Sequence, residues 1–178
     1  ALAKSDINND GLEDIFIGAA NGFSPKLYLQ NKEGKFYSIN SNYWSKQSSF
    51  EDVDAIFVDV DNDGNQDLYV VSGGNEYEDK NINYTDRIYI NDGNGNFSRG
   101  KITGLIPESG SVVKASDYDN DGDMDLFVGG RHIPHQYPLP ATSMILRNDN
   151  GQLVNVTKEI AKEFEKLGMV TDALWSDY

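Results

Sequence analysis

The chain has 178 residues, 29 of them acidic against 15 basic, for a formal charge of −14, and no cysteine. That length supports a sizeable core, and the missing cysteines exclude disulfide scaffolds and thiolate zinc sites. Nucleic acid is not an expected partner, because phosphate recognition needs basic patches. Membrane insertion is not expected either, since no apolar run is long enough to span a bilayer and no signal-peptide pattern is present.

The first predicted element is a loop. Asp6-Ile7-Asn8-Asn9-Asp10-Gly11-Leu12-Glu13-Asp14 sets oxygen-bearing side chains at positions 1, 3, 5 and 9, with glycine at position 6. A hard cation such as Ca²⁺ takes such oxygens together with a backbone carbonyl, here from position 7, and the glycine permits the sharp turn. Ile15-Phe16-Ile17 follows as a β-branched and aromatic run that favours strand. Lys26-Leu27-Tyr28-Leu29 is expected as the next strand, and Asn31-Lys32-Glu33-Gly34 as a turn into another.

The pattern then returns at Asp59 to Asp67 and at Asp117 to Asp125, with first aspartates about 55 residues apart, a period of repeat architectures. Apolar strands precede the later loops (Ala55 to Val58, Val112 to Ala115), and Leu68 to Val71 and Leu126 to Val128 follow them. Arg87 to Ile90 and Met144 to Arg147 are third strands, each leading through an Asn- and Gly-rich turn to a fourth. Four antiparallel strands per repeat describe a propeller blade. The expected fold is therefore all-β, about three blades of an incomplete β-propeller.

Blade 1 covers about 1–48, blade 2 about 49–108 and blade 3 about 109–168, with the first strand of a fourth blade over 169–178, where Ser176-Asp177-Tyr178 repeats Ser116-Asp117-Tyr118. One short helical insertion is expected from Thr157 to Leu167, with Thr157 as N-cap and Ile160, Phe164 and Leu167 on one face. Closed propellers have about four to eight blades, so the remaining blades are expected from a longer parent chain.

Three Ca²⁺ sites are expected. Their ligands are Asp6, Asn8, Asp10, Leu12 and Asp14; Asp59, Asp61, Asp63, Asn65 and Asp67; and Asp117, Asp119, Asp121, Asp123 and Asp125, position 7 acting through its main-chain carbonyl. An EF-hand is excluded, because position 12 is Ile17, Val70 or Val128 inside a strand instead of a bidentate glutamate. Asn8 removes one charge from the first site, which is expected to be the weakest. Calcium here holds the fold, at about 1.4 kcal/mol per site when its concentration is ten times Kd. Loops of this kind in extracellular modules bind at roughly 10⁻⁴–10⁻³ M, so an extracellular, cell-surface or periplasmic location is expected.

Function on such a scaffold is expected in the loops at the other end of each blade. The longest run from Ser72 to Asp86 and from Gly129 to Ser143, and the second holds both histidines. A protein or glycan contact surface is expected from Arg131, His132, His135, Tyr137, Tyr77 and Trp44, against the plainer reading of a proline-stiffened loop with solvated histidines. Trp175 is expected in the core.

Asp59 to Val70 and Asp117 to Val128 resemble FG-GAP/VCBS repeats, the calcium-binding blades of integrin α-subunit-like propellers. Arg87 to Phe97 resembles the hairpin that closes such a blade, and residues 129–131 and 168–178 are similar to bacterial VCBS proteins that also carry an ASPIC/UnbV domain. The resemblance implies a non-catalytic, surface-exposed module for adhesion or ligand binding. It also implies calcium between first and second strands, opposite the usual ligand surface. Two alternatives stand beside it: a polysaccharide lyase-like propeller enzyme using Arg131, His132, His135 and Tyr137, and a structural spacer in a secreted assembly.

Overall fold

Short β-branched and aromatic runs separated by Asn-, Asp- and Gly-rich turns build three sheets in succession in this computed structural model, which describes residues 1–177. The first contains β1 (Leu2–Ser5), β2 (Asp14–Ile17), β3 (Lys26–Gln30) and β4 (Phe36–Ile39), in that order and all antiparallel. The second repeats the plan with β5 (Asp52–Val58), β6 (Asp67–Ser72), β7 (Arg87–Asn91) and β8 (Phe97–Arg99). After β9 (Ile102–Thr103) comes the third, of β10 (Ser109–Ser116), β11 (Asp125–His132), β12 (Met144–Asn148) and β13 (Leu153–Asn155). Chain architecture is thus all-β and blade-like, and among the described residues the sheets form no closed ring.

The sheets stack face to face. β6 is buried at every position, so its two faces serve two cores. Leu68 and Val70 pack with Phe16, Leu27 and Tyr89 toward the first sheet. Tyr69 and Val71 pack with Ile88, Leu126, Val128 and Leu146 toward the third. Each fully buried side chain of this size contributes about 1.5–3 kcal/mol, so a middle sheet is held from both sides.

Three expectations are corrected. β9, a strand not expected from the sequence, pairs in parallel with β13 and forms the outer edge of the third sheet. β11 runs on to His132, because β10 is long enough, through a bulge, to pair Ser109 with it. The helix over Thr157–Leu167 is broken: one α-turn spans Thr157–Ile160, Ala161 leaves helical geometry (φ −150°, ψ 57°), and a 3₁₀ segment covers Lys162–Lys166. Thr157 does not cap it; its Oγ1 accepts the Ile145 N–H at 2.8 Å, tying the turn to β12. Residues 169–177 form no strand, having no second strand beside them among the described residues, and Tyr178 lies outside the described residues. No described helix is long and apolar enough to cross a membrane.

Candidate metal sites and the opposite face

Each Asp-rich loop joins the first two strands of its sheet and is closed by the same bonds. The position-1 carboxylate accepts the position-6 N–H: Gly11 to Asp6 at 2.7 Å, Gly64 to Asp59 at 2.9 Å, Gly122 to Asp117 at 3.1 Å. Gly64 has φ +87°, and a Cβ there would meet nothing within 4 Å, so backbone conformation alone demands glycine. Position 4 is also left-handed in every loop, with φ of 58° at Asn9, 58° at Asn62 and 61° at Asn120. Asparagine tolerates that region best after glycine. The identical Asn-Asp-Gly triplets carried this signal in the sequence.

The position-9 aspartates, Asp14, Asp67 and Asp125, are fully buried. One oxygen accepts the position-2 N–H of Ile7, Val60 or Tyr118, at 3.1 Å in each loop. The other accepts the N–H at the end of the third strand, from Gln30, Asn91 or Asn148, at 2.8 Å in each. Position 9 thereby pins loop, second strand and third strand together.

Carboxylate oxygens of Asp59, Asp61 and Asp67 lie within 4.8 Å of one another, as do those of Asp117, Asp119 and Asp125. These are positions 1, 3 and 9. Position 5 stands outside both groups; Asp63 and Asp121 accept the N–H of Asn65 and Asp123, at 2.8 and 2.9 Å, and Asp10 that of Leu12 at 2.9 Å. The first loop has Asn8 at position 3 and so gathers no three-carboxylate group. Asp59 Oδ1 is buried without a hydrogen-bond partner. Leaving such an oxygen unpaired is costly, and a cation among the three carboxylates would satisfy it. Burial first, then the charges of Asp61 and Asp63, push the Asp67 carboxyl up to about 6 against two backbone bonds that lower it. Burial likewise raises Asp14, Asp61 and Asp125. A divalent ion at these positions would restore the charged form, and the all-oxygen donor set would suit a hard ion such as Ca²⁺.

The far ends of the strands carry different chemistry. Arg87 pairs with Asp52, both almost fully buried, and its guanidinium lies 4.1 Å from the Phe50 ring centre. Beside it Asp86 accepts the Tyr69 hydroxyl and the Ser72 N–H, both at 2.8 Å. Further out, Arg131, His132, His135 and Tyr137 line a cleft of about 510 Å³ together with Asn75, Thr171 and Met169. The expected contact residues thus converge, with two exceptions. Trp44 is 1 % exposed, packed at 5.5 Å from Phe16 and 5.1 Å from Tyr89 by ring centres, and belongs to the core. Tyr77 stands aside from the cleft and donates to the Ser49 carbonyl at 3.0 Å. Trp175 is half-buried, stacked on Tyr118 and donating to the Lys114 carbonyl at 3.1 Å. The histidines join no three-ligand metal group among the described residues.

A family model for the FG-GAP-like repeat matches residues 6–70 and again 59–128. The chain belongs to the FG-GAP-like repeat family. No curated protein matches it. Each FG-GAP match begins at position 1 of one loop and ends in the strand after the next, so its unit contains two loops and the contacts between them. Those contacts repeat as well: Asn91 donates to the Ile7 carbonyl at 2.8 Å and Asn148 to the Val60 carbonyl at 2.7 Å, each reaching back one loop. Asn9 donates to Asn65 Oδ1 at 2.9 Å, and Asn62 to Asp123 Oδ1.

Proposed function

We propose that this chain is a calcium-stabilised FG-GAP blade module, non-catalytic, that binds a protein or glycan on the face opposite its metal loops. The unpartnered, buried Asp59 Oδ1 beside Asp61 and Asp67 carries the calcium assignment. Asp59, Asp61 and Asp67 would hold an ion in the second loop, Asp117, Asp119 and Asp125 one in the third, and Asp6, Asn8 and Asp14 a weaker one in the first. When bound, the ion supplies positive charge that fixes each bend; the residues themselves set its place through backbone bonds at positions 1, 5 and 9. Millimolar affinity of such loops supports an extracellular, surface or periplasmic setting. The apolar groove on the third sheet, lined by Phe127, Phe164, Leu167, Leu174 and Trp175, supports a further blade packing there. Retention of the chain on a glycan and protein array, with calcium and with chelator, tests this function. Saturable, calcium-dependent retention is expected, and none under either condition would overturn it.

Convergence of Arg131, two histidines and Tyr137 in one cleft supports a second reading, a lyase acting beside a carboxylate. Among the described residues no hydrogen bond links these side chains into an acid–base pair. Growth of double-bond absorbance on acidic polysaccharide, lost in His135→Gly, would establish it.

A further inference from the structure

In a protein of charge −14, the cleft between the 72–86 loop and the end of β11 is lined by no acidic residue. Arg131 and His132 stand on the last residues of a strand, not on a free loop. The His135 N–H donates to Asn75 Oδ1 at 2.7 Å, which ties the two loops together. The Val170 N–H donates to the Gly130 carbonyl at 2.9 Å and sets Met169 and Thr171 along the third wall. A Cβ on Gly130 would lie 2.5 Å from the Ala141 carbonyl oxygen, so glycine lets the 133–143 loop fold back onto β11. Three segments therefore pre-shape the cleft.

Arg87, Arg99 and Arg147 each bond to a protein oxygen. The Arg131 side chain makes no ion pair or hydrogen bond among the described residues and is exposed within the cleft. We infer that the cleft binds the carboxylate of an acidic sugar, with Arg131 and His132 on the anion. This inference rests on the binding-face reading above. A planar guanidinium matches a carboxylate bidentately. The Tyr137 ring, 78 % exposed, offers a flat face to a sugar ring, while Asn75 and Thr171 provide amide and hydroxyl partners for sugar hydroxyls. The volume suits a small ligand. Screening beyond about 8 Å at physiological salt keeps the protein's overall negative charge from deciding the local contact.

Burial, and then the Arg131 charge, hold the His132 imidazole below its ordinary range. An anion between them relieves that repulsion and draws a proton onto His132, so binding tightens as pH falls. The other groups lining the cleft are Arg131, His135 and Tyr137, with uncharged Asn75, Met169 and Thr171.

Amide NMR titration of the whole chain in excess calcium provides the test, with a uronic-acid trimer, the same trimer carboxyl-reduced, and an acidic peptide as probes. Expected are shifts at residues 129–137 and 169–171 with the acidic trimer, at least tenfold weaker binding of the reduced trimer, and at least tenfold loss in Arg131→Ala. His132→Gln should reduce the pH dependence while its melting temperature stays that of the parent. Equal binding of the reduced trimer, tighter binding of the peptide, or an indifferent Arg131→Ala would overturn the acidic-sugar assignment and leave a binding face standing. Shifts confined to the metal loops, or no shift with any probe, would overturn the acidic-sugar assignment, while the binding-face reading falls only if the array also shows no retention.

Discussion

Asn62 in the second loop, held at φ 58°, donates through its amide to Asp123 in the third, which also accepts the Asn150 N–H at 2.8 Å. Consecutive loops are therefore connected side chain to side chain, and ordering one positions the other. In Asn62→Gly, which keeps the left-handed backbone at position 4 while removing the amide, calcium binding to the second and third loops should become independent. The Hill coefficient falls toward one, and stability drops by about 0.5–1.5 kcal/mol, the net worth of one such bond. Calcium titration followed by tryptophan fluorescence and calorimetry reads both quantities.

Gly64→Ala places a Cβ in open space but at φ +87°. Its cost is conformational, about 1–2 kcal/mol, and should appear as weaker calcium binding in the second loop only. Urea unfolding with and without calcium separates the two effects.

The Arg87–Asp52 pair joins β7 to the start of β5, with both side chains almost fully buried, and Asp52 Oδ2 also accepts the Ala19 N–H from the loop after β2 at 2.8 Å. Arg87→Met leaves Asp52 buried and uncompensated, at about 3–5 kcal/mol. The double variant Arg87→Met/Asp52→Asn should recover part of that loss, as denaturant midpoints would show.

Burial pushes the Asp86 carboxyl from the ordinary 3.8 to about 6, against the Ser72 and Tyr69 bonds and the charges of Arg87 and Arg99. The folded state holds the extra proton between those values. Stability from this group is therefore present at acid pH and lost as pH rises through about 6. Measured in saturating calcium, so that both proteins keep their loops filled, the stability difference should shift toward Asp86→Asn as pH rises from about 5 to about 7.

Much of the scaffold was readable because the metal loops repeat with their flanks. The gathering of positions 1, 3 and 9 and the strands beside them follow from oxygen spacing and apolar runs. Position 5, expected as a ligand, lies outside the two three-carboxylate groups, and Asp10, Asp63 and Asp121 each accept a backbone N–H. Trp44 read as a surface aromatic because its segment is polar; only the packing of Phe16 and Tyr89 around it shows otherwise. β9 is too short to signal itself, and its parallel partner β13 lies far along the chain. The cleft residues were recognisable as chemical types, yet the return of Asn75 and Thr171 to the same space depends on tertiary folding.

Calcium titration of chelator-stripped protein, by calorimetry with melting temperature in parallel, bears most directly on the metal-pinned blades. The expected result is saturable binding at the second and third loops with a weaker first site. Three filled sites at ten times Kd add about 4 kcal/mol, a rise of roughly 10 °C for a chain of this size. Asp59→Ala should abolish one site. No heat of binding and an unchanged melting temperature in millimolar calcium would contradict the account.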